Sequence, residues 1–343
     1  MLQINRVANS QPFYPCRPVV VSSTIAYHIE EALFICTTRK PFCRPSTFSS
    51  TFPSPIRSRT LPVSLDETNA GRYVCCVKPG THQTSTRRFV TGLAVQGRYH
   101  FTTGEVIEAT GASRAAVGAV LRRLQQEGFV AMPFRGFHVV VPPEYRRLGC
   151  LPPAQFVPQL TAHLGLDYYV GLLSAAELLG AAHQRPQAFQ VVVERNRSPL
   201  SCGEARVEFV ARRNVAKIPF LELNTPRGAV KISSPAGTAF DLVGYAHRCG
   251  GLDNVAMILR ELAERLRARE LPRVARLSPA PWAQRLGFLL DTVGADALSG
   301  PLAAHIARVA NEYVPLDVGG REPVRSRSQR WKLDINHEVE LES

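Results

Sequence analysis

The chain has 343 residues, 45% of them hydrophobic and 20% charged, with a formal net charge of +13 and a sequence pI near 9.7. This length allows two or three globular cores, and the strong positive charge calls for a polyanionic partner. The composition excludes a helix through a bilayer, since no apolar run reaches about 18 residues, and a zinc framework, since the eight cysteines lack CxxC or Cys/His ligand spacing. The cysteines read as reduced thiols in a cytoplasmic protein.

Residues 1–84 are rich in Ser, Thr, Pro and Arg and have no sustained hydrophobic period apart from a brief apolar patch at 24–36. They are expected to be a disordered or non-native N-terminal extension. A helix is predicted over 86–96, with Phe89, Leu93 and Val95 on its buried side and Arg87 and Arg88 near its start. Tyr99-His100-Phe101 alternates and suits a short strand. Thr102-Thr103-Gly104-Glu105 spells a capping box for a second helix, which Gly111 ends. Ser113 caps a third helix that runs to about Glu127 and stops at Gly128. Two apolar strands, 129–132 and 137–141, flank Pro133-Phe134-Arg135-Gly136. Helix, Gly-containing turn, helix and a hairpin with a basic tip together outline a winged helix-turn-helix over residues 85–147.

Within the third helix, Val117, Val120, Leu121 and Leu124 recur at i, i+3, i+4 and i+7 and make one apolar stripe for the core. The opposite face carries Ala115, Gly118, Ala119, Arg122 and Gln126, flanked by Arg114 and Arg123. Small side chains let a helix backbone approach a DNA groove, while arginines reach phosphates or base edges. The predicted interface with duplex DNA is therefore the helix from Ser113 to Gln126 together with the hairpin tip Arg135. Arg87, Arg88 and Arg98 add backbone contacts. A solvated face with arginines for solubility is the plainer alternative.

Pro142-Pro143 and Pro152-Pro153 bracket a linker. A larger α+β domain, residues 148–343, follows. Helical spacing begins at Gln155, and the run 168–182 is apolar almost all round, which predicts a buried helix. Strands are expected at 190–193, 206–210, 219–223 and 229–232, the last two joined by a turn at 224–228. Ser234 caps a helix over 236–247 with Pro235 at its first position. A long amphipathic helix starts at Asp253 or Asn254 and buries Val255, Ile258, Leu259, Leu262 and Leu266. Further helices cover 281–293 and 297–309, and 330–335 forms a closing strand.

Catalytic signatures are missing. Glu194, Glu204, Glu208 and Glu222 are followed two residues on by Asn, Arg, Val and Asn, so none makes the carboxylate–lysine pair of a metal-dependent nuclease. There is no GxSxG elbow, no P-loop and no paired carboxylate after a Gly-Ser turn. No metal, cofactor or catalytic residue is expected, although a DNA-associated nuclease with a winged-helix targeting unit is the rival class. Glu177 and His183 are best read as a buried polar pair, and Asp241 and Asp253-Asn254 as helix-start or interior contacts. Arg212, Arg213 and Lys217 fit either an extension of the basic surface or a solvated loop.

Several strings carry a family resemblance. They are Phe101-Thr102-Thr103; Arg135-Gly136-Phe137 leading to Val141-Pro142-Pro143-Glu144-Tyr145-Arg146; and Leu148-Gly149-Cys150-Leu151-Pro152-Pro153. To these are added residues 168–178, residues 180–184, Gly250-Gly251-Leu252-Asp253-Asn254-Val255-Ala256 and Arg330-Trp331-Lys332-Leu333. Across residues 97–343 the chain resembles the AbiEi antitoxins, transcriptional regulators of type IV toxin–antitoxin operons in abortive infection, a form of phage defence. The resemblance implies a winged helix that binds operator repeats and represses its own operon. It also implies a C-terminal domain that opposes a nucleotidyltransferase-like toxin without forming a stable complex with it. Residues 1–84 lie outside the resemblance.

Overall fold

The computed structural model describes residues 85–182, 186–320 and 322–341. The expectations for 1–84 and for His183 lie outside the described residues. All described residues belong to one compact unit, Cys76–Ser343.

The first helix, α1 (Thr86–Val95), is capped by Ser85, whose hydroxyl accepts from the Arg88 amide. Its buried side is Thr86, Val90 and Leu93, whereas Phe89 is half-buried and Val95 is 83% exposed. The expected stripe is thus corrected. Val95 lies two residues beyond Leu93, about 200° around the helix and away from the core. The short strand β1 (His100–Thr102) leads into α2 (Thr103–Thr110), and the capping box is present: Thr102 accepts from the Glu105 amide, and the Glu105 carboxylate accepts from the Thr102 amide. Gly111 ends α2 with φ 64°, and Ser113 caps α3 (Arg114–Gln126).

Strands β2 (Val130–Phe134) and β3 (Phe137–Val140) form a hairpin, and β1 pairs with β3 on its other side. The strand β2 runs two residues further than expected, up to the turn Arg135-Gly136. Its register shifts between Ala131 and Phe134. Such a bulge accommodates Pro133, which has no N–H for the ladder. Residues on β3 feed two cores. Val140 joins Val90, Phe101, Val106, Val117, Leu121 and Leu124. Phe137 and Val139, with Val141 beyond the strand, join Leu151, Phe156, Leu160, Val191 and Val207.

Beyond the prolines, α4 (Val157–His163) is followed by β4 (Tyr168–Val170) and only then by α5 (Leu172–Leu178). The predicted helix over 168–182 is therefore corrected: its first three residues are strand, and the helix covers only seven of the rest. An apolar run without period fits a central strand as well as a buried helix. The β-prone residues Tyr168, Tyr169 and Val170 settle it by pairing on both edges. At Gly171 a Cβ would stand 2.5 Å from Val192, and Leu172 takes φ 52° to turn into the helix.

The strands β5 (Phe189–Val193), β6 (Leu200–Cys202), β7 (Ala205–Ala211), β8 (Phe220–Thr225) and β9 (Gly228–Ser233) complete a six-stranded mixed sheet. Its order is β6-β7-β5-β4-β9-β8, with β5–β7 and β4–β9 parallel. Ser234 caps α6 (Pro235–Gly244), which ends earlier than expected and is followed by a short 3-10 turn, Ala246–Arg248. Next comes α7 (Gly251–Leu262), which begins two residues before Asp253; Leu266 is buried but lies past its end. An unforeseen short helix, α8 (Leu271–Ala275), precedes α9 (Ala280–Thr292) and α10 (Asp296–Val309).

A small sheet closes the described chain: β10 (Val314–Pro315), β11 (Ser326–Ser328) and β12 (Leu333–Ile335), ordered β10-β12-β11. The expected strand over 330–335 begins only at Leu333, because Lys332 has φ 48° and breaks the extended run. Trp331 is buried instead and donates its indole N–H to Asp291 Oδ2 at 2.7 Å. Six strands, a second small sheet and several helices make this a mixed α+β chain. No helix among the described residues is long and apolar enough to cross a membrane.

Candidate nucleic-acid interface

The apolar stripe of α3 fixes which side faces out. Val117, Leu121 and Leu124 are buried against α1, α2 and the hairpin, while Val120 is half-buried. Arg114, Ala115, Ala119, Arg122, Arg123 and Gln126 are all exposed. Gly118 is half-buried, yet nothing lies within 4 Å of where its Cβ would be, so the helix surface there is open and flat. Ser113 is spent on capping: its hydroxyl accepts from the Ala116 amide at 3.3 Å. Arg135 is exposed at the two-residue turn of the hairpin, where Gly136 takes φ 81°.

The arginines divide by what holds them. Arg114, Arg122, Arg123 and Arg135 make no side-chain hydrogen bond or ion pair among the described residues. Arg87, by contrast, pairs with Glu127 Oε2 at 3.0 Å, tying the start of α1 to the end of α3. Arg98 is bonded to Glu105, and this partner with the Thr102 amide holds the Glu105 carboxyl below its usual range against the opposing effect of burial. Arg98 thus faces a small cavity of about 200 Å³ beside Gln155, Gln159 and Arg227 rather than the open side of α3. The Arg88 guanidinium is exposed.

Two features were not legible beforehand. A cleft of about 510 Å³ runs from Phe134 and Arg135 to Leu164, Arg197 and Ser198, so the β5–β6 connection brings a second arginine beside the hairpin tip. Only the string Arg195-Asn196-Arg197 hinted at it. The second feature is Arg227, placed by sequence in a plain turn. Its guanidinium stacks 3.9 Å over the Tyr99 ring and 5.5 Å over Tyr145, and it donates to Gln155 Oε1 at 2.8 Å. It joins the α1–β1 connection to the sheet.

Arg212 belongs neither to a basic surface nor to a solvated loop. It is 5% exposed, bonded to Asp241, and donates to Tyr169 at 3.1 Å and Ser278 at 2.6 Å. Burial pushes the Asp241 carboxyl up, and Arg212 and Tyr169 pull it back. Glu208 is held by Arg248, and Asp253 accepts from His337 at 2.9 Å. Among the described residues no group of three or more His, Cys, Asp or Glu is placed to hold a metal ion.

Residues 169–292, from β4 to the end of α9, match the family described as AbiEi antitoxin C-terminal domain. Over this third of its length the chain has an AbiEi-like domain. That domain holds most of the six-stranded sheet and the buried Arg212–Asp241 pair, and α1 to β3 precede it. The fold is similar to the crystal structure of the RV2827C protein from Mycobacterium tuberculosis, at 18% identity over 72% of this chain and 90% of that one, with a TM-score of 0.56. An antigenic nucleotidyltransferase-like protein from Paracoccidioides brasiliensis matches over 44% of this chain and 90% of its own, at 14% identity and a TM-score of 0.28. No curated protein matches the chain.

Proposed function

We propose that this protein is the antitoxin of a type IV toxin–antitoxin system and represses its own operon. In this reading residues 85–147 form a winged helix-turn-helix that binds duplex DNA, with α3 in the major groove and Arg135 at the wing tip beside it. Residues 148–343, around the AbiEi domain, oppose a nucleotidyltransferase-like toxin in the cytoplasm without forming a stable complex. The observation that carries the DNA reading is the outward face of α3: small side chains at Ala115, Gly118 and Ala119, bounded by Arg114, Arg122 and Arg123 that have no partner among the described residues. A flat helix surface permits close approach, and free guanidinium groups supply phosphate and base contacts without first breaking an ion pair.

The reading assigns no catalysis. Its support is that the interior acid Asp241 is engaged with Arg212 and that Glu208 is engaged with Arg248. The test is binding to the DNA upstream of the operon across a salt series. The double variant Arg114→Ala, Arg122→Ala should lose about 1–3 kcal/mol per base contact, or about 0.9 of log–log salt slope per phosphate contact. A folded double variant with unchanged affinity and slope would sink the proposal.

A further inference from the structure

On the AbiEi domain, away from α3 and the hairpin, a cleft of about 440 Å³ opens between the end of β7 and the connection from α8 to α9. Its floor is Arg212, whose guanidinium lies 5.2 Å from the centre of the Trp282 ring. Trp282 stands edge-on to Tyr245, with ring centres 5.1 Å apart and planes at 71°. Arg213 and Arg276 line the same cleft; both are exposed and have no partner among the described residues. No carboxylate of the described residues lines the cleft; Asp241 is fully buried behind Arg212 and balances it. The first turn of α9 also opens here, and Pro279 gives it no side-chain cap.

These groups select a ligand chemistry. Two unpaired guanidiniums favour a phosphate, which they can hold with paired, charge-assisted hydrogen bonds. A half-exposed indole beside them, with Gly244 packed over one face of its six-membered ring, offers apolar surface to a nucleobase. The volume lies in the range of small-molecule sites, about 300–1,000 Å³. A purely apolar ligand would leave the arginines unused, and a cation would be repelled.

We propose that this cleft binds a nucleoside 5′-phosphate, with the base against Trp282 and the phosphate between Arg213 and Arg276. Arg212 acts as a positioning residue: pinned by Asp241, Tyr169 and Ser278, it fixes the indole from behind. The site uses none of the residues assigned to DNA, so it stands or falls separately from the proposed function.

The full chain provides its own probe. It contains two tryptophans; Trp331 is 1% exposed, leaving Trp282 as the indole a ligand can touch. Titration with AMP and ATP should change the fluorescence saturably, and calorimetry should give matching dissociation constants. Adenosine and inorganic phosphate should each bind at least 10-fold more weakly than AMP. The double variant Arg213→Ala, Arg276→Ala should melt like the parent and bind AMP at least 10-fold more weakly. Trp282→Phe should abolish the fluorescence response while calorimetry still records weakened binding. No saturable heat with AMP or ATP, unchanged affinity in the double variant, or phosphate binding as tightly as AMP would each overturn the assignment.

Discussion

His138 sits on β3 with one ring nitrogen satisfied and the other buried without a partner among the described residues. Its Nε2 lies 2.9 Å from Thr103 Oγ1, its ring stacks on Phe101 at 5.2 Å, and its Nδ1 is unpaired. Burial pushes its pKa down to about 4. A depressed histidine binds its proton more weakly folded than unfolded, so its contribution is intact above about pH 6.5 and is lost as pH falls through 4. The loss is on the order of 3 kcal/mol at most. Denaturant unfolding between pH 7 and 4 should therefore show a steeper fall for the parent than for His138→Gln, and equal slopes would refute the assignment. Arg212 gives a second test. Arg212→Met leaves Asp241 charged and enclosed, which should cost about 3–5 kcal/mol in unfolding free energy, whereas Arg212→Met with Asp241→Leu should recover most of it. Asp241 was legible in the sequence as an interior contact of a helix. Arg212 was not, since its partners lie on three other parts of the chain and only the folded sheet brings them together.

At the scale of elements, the caps were the most legible part. Thr102, Glu105, Gly111, Ser113, Ser234 and Pro235 all act where their chemistry placed them, because a cap depends on neighbours within a few residues. Removing the Thr102 hydroxyl with Thr102→Ala should cost about 1 kcal/mol by thermal or denaturant unfolding. Val95→Ser should be neutral within about 0.5 kcal/mol, because this side chain faces solvent although the sequence assigned it to the core. Tertiary pairing is what the sequence could not convey. The segment β4 reads as helix until its partners β5 and β9 are known, and β6 and α8 are too short to show a period. Gly287 belongs with these: a Cβ there would stand 2.1 Å from Trp331, so Gly287→Ala should destabilise by about 1–3 kcal/mol and be visible as a lower melting midpoint.

For the whole molecule, β3 decides how independent its parts are. Phe137, Val139 and Val141 are no more than 1% exposed because they pack on Leu151, Phe156 and the six-stranded sheet rather than within α1 to β3. Stripped of that cover, each side chain forfeits about 1.5–3 kcal/mol of burial. A fragment of residues 85–147 should accordingly bind a hydrophobic dye and lack a sharp melt, while the full chain melts cooperatively; a fragment with parent-like melting would show the two cores to be separable. The outward face of α3 was legible residue by residue from its period, but the cleft that brings Arg197 beside Arg135 was not, since that arginine arrives from a distant loop.

The order of strands also sets a timetable for synthesis. Val170 on β4 pairs in parallel with Ile232 on β9, about 60 residues further along the chain. At roughly 5–20 residues per second, a ribosome needs about 3–12 s to deliver that partner. Throughout this interval the edge of β4 that β9 will cover stays bare, and no local contact can cover it. The slow, non-local closure expected of such a sheet is thus imposed first by translation and only then by diffusion. The late arrival of β9 makes the newly made chain, rather than the finished one, the form most exposed to aggregation and proteolysis.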